Sequence, residues 1–161
     1  MLQTDAGTRS ETLPKAGVGI VLLVSTMIVL MGLASDVVNG GDKWHQGDWL
    51  IHDLNGAVRR GAFGRWIILF SDALGLSPVW TAAFFQAVIT ISIPVLFWRI
   101  SSAVGAWSAT LLLISTPAMI FLFWAGDIQG ALRKEIIGVL AVLFAGIGVA
   151  RGQFVPAALG G

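Results

Sequence analysis

The chain has 161 residues, a mean hydropathy of +0.83, 56% hydrophobic residues, 12% charged residues and a net charge of +1. Soluble domains carry about 25% charged residues, so the composition excludes an ordinary water-soluble domain. The balanced charge, with no basic tail or recognition-helix pattern, points away from nucleic acid. The absence of cysteine excludes disulfides, thiolate metal sites and cysteine nucleophiles.

Residues 1–15 are polar and mixed in charge, with Arg9, Glu11 and Lys15, and read as a loose tail until near Leu13. Residues 16–34 follow as a charge-free run, and 19 residues rising 1.5 Å each give about 28 Å, enough for the hydrocarbon core. The rival reading is a signal peptide, because Gly32-Leu33-Ala34 resembles a small-residue cleavage site. Residues 35–64 form the longest polar segment, opening on the turn signal Asn39-Gly40-Gly41-Asp42. Within it, Trp44, Trp49, Leu50, Leu54 and Val58 recur at loosely helical spacing. That predicts an amphipathic helix over 44–58 lying in the membrane interface, with tryptophan at headgroup depth.

The stretch from Asn55 to Arg65 is the one around which the chain is organised. It holds Arg59, Arg60 and Arg65, three of the ten Lys/Arg residues, between long apolar runs. Arginine so close to hydrocarbon needs a partner, water or headgroups. Gly56, Gly61 and Gly64 let a backbone or a ligand approach closely. Residues 65–76 are apolar but too short to span, which predicts a half-helix packed on its neighbours.

Ser77-Pro78 is a helix start, with proline in the first turn. The second span is read at 79–98, with Gln86 and Pro94 inside and Arg99 closing it at an interface. The third is read at 104–125, with Pro117 inside, and the fourth at 131–150 after a polar connection carrying Asp127, Arg133, Lys134 and Glu135. Interior prolines are tolerated in membrane helices and imply kinks. The fold class expected is therefore all-α: a polytopic membrane protein with four transmembrane helices, an interfacial amphipathic helix and a short half-helix. Residues 16–150 form one domain, and 151–161 a weak tail.

Four spans put both termini on one side. Arg9, Lys15, Arg99 and Arg151 lie there, and Lys43, Arg59, Arg60, Arg65, Arg133 and Lys134 lie opposite. A plain positive-inside count would put the second set in the cytoplasm. That set shares its side with seven of the nine acids, so it is equally readable as part of a site.

Three constellations are candidates for chemistry. Arg59, Arg60, Arg65, Arg133 and Lys134 are candidate phosphate or headgroup binders, since arginine forks grip phosphate bidentately and lysine adds a point charge. The plainer reading of the same residues is snorkelling and ion pairing with Asp48, Asp53, Asp72, Asp127 and Glu135. His45, Asp48 and His52, at i, i+3 and i+7, would share one helix face and are weak metal-ligand candidates. Gly126/Gly130 and Gly148/Gly152 have the GxxxG spacing of close helix packing.

Asn55-Gly56-x-Val58-Arg59-Arg60-Gly61-x-x-Gly64, after an aspartate-bearing loop, resembles the first-loop signature of bacterial inner-membrane polysaccharide polymerases and GT-C-like glycosyltransferases. Asp127 followed by Arg133-Lys134-Glu135-Ile136 resembles a later loop of the same proteins. The resemblance implies a bacterial inner-membrane location with this loop outside and both termini in the cytoplasm. It also implies Asp53 as a catalytic acid, and Arg59, Arg60 and Arg133 as ligands of a polyprenyl-phosphate-linked sugar. Those proteins have many more spans, so this chain would be their front portion, shortened and reused, or one piece of a larger assembly.

The leading expectation from the residues is instead a small non-catalytic membrane subunit of an energy-transducing or envelope complex. It would pack against partner membrane proteins and lipids, with no cofactor, no resident metal and no soluble substrate. The transfer enzyme is the alternative.

Overall fold

The computed structural model describes residues 5–51, 61–116 and 119–150, with the side chains of 5–10, 61–62, 122–123, 129 and 149–150 set aside. The described residues are all-helical: α1 (Asp5–Val38), α2 (Gln46–Leu50), α3 (Gly61–Leu74), α4 (Pro78–Val104), α5 (Trp107–Ile114), α6 (Ile120–Gly126), α7 (Ile128–Ala131) and α8 (Ile136–Ala150). Among the described residues two helices are long and apolar enough to cross a membrane, over Glu11–Val38 and Pro78–Val104.

The N-terminal segment differs from a loose tail, since α1 is already helical at Asp5 and passes through Pro14. One stripe of it, Val18, Leu22, Val29 and Leu33, is buried against α4, α5 and α6. Its glycines set the spacing. A Cβ on Gly17 would lie 3.2 Å from Leu111, and one on Gly32 would lie 2.8 Å from Ile128. On α1 these two glycines let α5 and α7 come close. At Gly126, one of the expected GxxxG positions, an added Cβ would meet nothing within 4 Å.

The half-helix is longer than expected, with α3 starting at Gly61. α4 starts as expected, with Ser77 extended and Pro78 at the first helical position, but it runs past Arg99 to Val104. There Gly105, at φ 74°, donates its N–H to Ser101 O.

The expected third span, 104–125, is two helices. Pro117 has no N–H for the carbonyl of Leu113 and disfavours a helical residue before it. Leu113 O instead accepts from Thr116 N at 3.1 Å and Thr116 Oγ1 at 2.7 Å, which ends the α5 ladder. The expected fourth span starts at Ile136 instead of 131, for a different reason. A helix through this point needs Ile136 N–H on Leu132 O, but that carbonyl is taken by the side chains of Trp49 and Gln86. Ile136 N turns to Arg133 O at 3.2 Å instead.

Side chains order the ends of these helices. Lys15 lies over the rings of Trp98 and Trp107, and Glu11 accepts from Ser108, so the start of α1, the end of α4 and the start of α5 share one end. Gly32 against Ile128, Gly41 against Val79, and Gln86 against Leu132 gather the opposite end. The helices therefore run up and down, and α8 leaves from beside Gln86 to pack along α4.

One buried hydroxyl inside this bundle lacks a partner. Thr90 Oγ1 is buried, lines a void of about 10 Å³ with Ser25, Pro94 and Trp124, and makes no hydrogen bond among the described residues. An unsatisfied buried hydroxyl costs about 1–3 kcal/mol. Thr90→Val, which keeps the shape and removes the hydroxyl, is expected to raise the melting temperature in detergent. A lower melting temperature would show that the hydroxyl is satisfied in solution.

Candidate functional site

The polar loop after α1 is built by its own short-range hydrogen bonds. Asn39 Nδ2 donates to Ser35 O at 2.8 Å, and Gly40 and Gly41 take φ values of 93° and 95°, which suit glycine alone. Gly41 packs on Val79, where a Cβ would come within 2.9 Å. Asp42 then caps the next turn, its Oδ1 accepting from Trp44 N at 2.7 Å and His45 N at 3.1 Å. α2 follows for five residues and ends at Ile51, which is extended. The interfacial helix expected over 44–58 is thus a turn and a half within the described residues, and 52–58 lies outside them.

α2 delivers two side chains into the bundle. Gln46 and Trp49 are both buried and meet Gln86, which is 0% exposed near the start of α4. The three form one chain of hydrogen bonds. Asp42 N donates to Gln46 Oε1 at 2.8 Å, and Gln46 Nε2 donates to Gln86 Oε1 at 3.0 Å. Gln86 Nε2 and Trp49 Nε1 each donate to Leu132 O at 2.8 Å. Two amides, an indole and a backbone carbonyl from three separate segments thereby satisfy one another out of water. The Trp49 ring also meets Phe63 edge-on at 5.3 Å, and Phe63 meets Phe85 at 6.5 Å, which ties α3 to the same point.

Beside this hub, His45 is buried and its Nδ1 is hydrogen-bonded to Asp36 Oδ2 at the end of α1; Asp42 Oδ1 is 3.8 Å away. His45 Nε2 is buried without a partner among the described residues. Asp48 turns the other way, with Lys134 Nζ 3.9 Å from its Oδ1. The metal candidates are therefore separated: His45 is held by Asp36, Asp48 faces Lys134, and His52 lies outside the described residues. Among the described residues no three His, Asp or Glu side chains are placed to hold a metal ion.

Of the basic candidates, Arg65 on α3 and Arg133 before α8 are exposed, and Lys134 is mostly buried. Arg59, Arg60 and the candidate acid Asp53 lie outside the described residues. The described part of the loop therefore holds the segments together through amides. Gln86 was visible in the sequence as the amide inside a span, where a polar side chain signals an interhelical bond. Its partners Gln46 and Leu132 O, and the Asp36–His45 pair, carry no periodic signal.

The backbone N–H of Trp44, then that of His45, holds the Asp42 carboxyl below the usual carboxylate range, with His45 and Lys43 adding in the same direction against desolvation. A carboxylate lowered on folding contributes stability that is complete above its unfolded pKa, about 4, and is lost as pH falls through the lowered value. Wild-type melting temperature is expected to drop on acidification below about pH 4, and Asp42→Asn is expected to shrink that drop. An unchanged acid limb in the variant would remove Asp42 from this role.

Compared with known proteins, the chain matches no family model, no curated protein and no solved structure.

Proposed function

We propose that this chain is a non-catalytic subunit of the bacterial inner membrane that crosses the bilayer four times and packs against partner membrane proteins and lipid within a larger energy-transducing or envelope complex. The four crossings are α1, α4, the interrupted pair α5 and α6, and α8. Both termini lie on one side, the cytoplasm.

The observation that carries the reading is the outward apolar stripe on each long helix. On α1, Ile20, Leu23, Met27 and Met31 are 50–67% exposed; on α4, Trp80, Phe84, Val88, Ile91 and Val95 are 44–61% exposed. Each set recurs at helical spacing along one face, while the amides are turned inward and bonded to each other. Continuous apolar stripes facing out are stable against hydrocarbon or another apolar surface. The break between α5 and α6 supports a protein neighbour as well as lipid. Ser115 and Thr116 are exposed between the Trp107 end and the Asp127 end, and non-helical backbone at membrane depth is tolerated where protein or water meets it.

Purification in mild detergent with mass spectrometry of co-migrating proteins tests the function: a stoichiometric larger complex is expected. A lone chain carrying a polyprenyl-phosphate sugar would overturn it in favour of glycan transfer. With no native cysteine, single cysteines at Ser10 and Val155 test the crossings. Labelling of both from one side is expected, and labelling from opposite sides would sink the four-span arrangement.

A further inference from the structure

We propose that the groove between α1 and α4 binds one anionic glycerophospholipid, its acyl chain in the groove and its phosphate on Arg99 and Lys15. The site rests on the membrane reading above and lies at the opposite end of the bundle from the Gln86 hub.

The groove has a volume of about 350 Å³, within the range of ligand pockets, about 300–1,000 Å³. Gly19 lines it, and the missing side chain leaves room beside the Trp98 ring, 3.4 Å from where a Cβ would be. Leu23, Ile91 and Val95 line its mouth and are 64%, 47% and 49% exposed, so the groove opens sideways, toward the acyl chains of a bilayer.

Its walls are apolar apart from Arg99, which lines it with Trp98 in the last two turns of α4. Lys15 lies outside the groove lining but against the same tryptophan, its Nζ 5.8 Å from the Trp98 centroid and 5.4 Å from that of Trp107. Two tryptophans and two cations at one level mark headgroup depth. The nearest acid in sequence, Glu11, is one turn from Lys15 but accepts from Ser108 N and Oγ at 3.2 and 3.3 Å. Arg99 is exposed and has no ion pair among the described residues. An apolar slot ending on Arg99, with Lys15 beside the same tryptophan, is complementary to a lipid with a single negative headgroup. An apolar peptide would fill the slot and leave both charges unanswered.

The test uses the full chain in nanodiscs of phosphatidylcholine and phosphatidylglycerol, released into mild detergent for native mass spectrometry. The wild type is expected to retain one phosphatidylglycerol in preference to phosphatidylcholine. Arg99→Gln and Lys15→Gln should each lower that preference roughly fivefold, from about 1 kcal/mol per cation near the surface, with Arg99→Lys keeping most of it. Val95→Trp, which fills the groove from its exposed side, should lower retention with both cations in place; Leu23→Trp serves the same end if that variant does not fold.

An unchanged preference in the Arg99→Gln/Lys15→Gln double variant, or unchanged retention in the folded groove-filling variant, overturns the site. So does displacement of the lipid by inorganic phosphate alone, which would mark a plain anion site. Resistance of the wild type to alkaline carbonate extraction separates the two levels. If the chain is extracted, the membrane reading falls and the site with it; if it resists and the lipid preference fails, the site alone falls.

Discussion

Gly64→Ala is expected to unseat α3 and to be the most damaging single-methyl change in the described chain. A Cβ at this position would lie 2.0 Å from Ile51 O, 2.7 Å from Ile51 C and 2.9 Å from Trp49 O. All three are backbone atoms at the end of α2, so no rotamer change relieves the overlap. Either α3 moves away or α2 does, and both carry the Trp49–Phe63 ring contact with them. Overpacking typically costs 1–3 kcal/mol, and a clash against backbone on both sides belongs at or above the top of that range, about 3 kcal/mol. Thermal unfolding in detergent, followed by tryptophan fluorescence, should show a lower midpoint and a wetter Trp49. Gly138→Ala is the control: it lies inside α8, where a Cβ meets nothing within 4 Å. That change should stabilise by about 0.5–1 kcal/mol, through helix propensity alone. If Gly64→Ala and Gly138→Ala melted alike, the close approach of α3 to Ile51 would not exist in solution.

Gln86→Leu should have the next largest effect. The substitution roughly keeps the volume and removes the central link of the hub. Gln46 Nε2 then loses its acceptor while still buried, and Leu132 O keeps only the Trp49 indole. Stranding one buried amide donor costs about 1–3 kcal/mol. The physical content lies in the double variant. Gln46→Leu alone strands Gln86 Oε1 and Asp42 N, but with both glutamines replaced the pair leaves no amide unpaired against the other. The two single losses should therefore sum to more than the double loss, by about 0.5–3 kcal/mol. Strict additivity, measured by chemical denaturation in one detergent, would mean that the two amides do not bond to each other.

These two sites divide what can be read along the chain from what cannot. The glycine-bearing stretch around Arg59 was legible as a place of close backbone approach, and Gly64 shows that approach, made by Ile51. Which backbone would arrive was not legible, because Ile51 comes from outside any periodic pattern. Gln86 was legible as a polar side chain within a span. The residue at its other side was not, because Leu132 contributes a carbonyl, and every residue has one.

Local rules by themselves determined a good deal. Charge-free runs over 16–34 and 79–98 lie within the two helices long enough to cross a membrane. Ser77-Pro78 starts α4, and Asn39-Gly40-Gly41 makes the turn after α1, since those features depend on backbone sterics within a few residues. The break in the third apolar run is local as well, and only the start of the last run was decided by the tertiary structure. Residues 104–125 divide where Leu113 O goes to Thr116 once Pro117 can offer no donor. The final helix waits until Ile136 because Trp49 and Gln86, 83 and 46 residues away, claim Leu132 O. A helix boundary is the point where a backbone carbonyl finds a better partner than its own ladder. When that partner is a side chain from a distant segment, hydropathy along the chain carries no record of it.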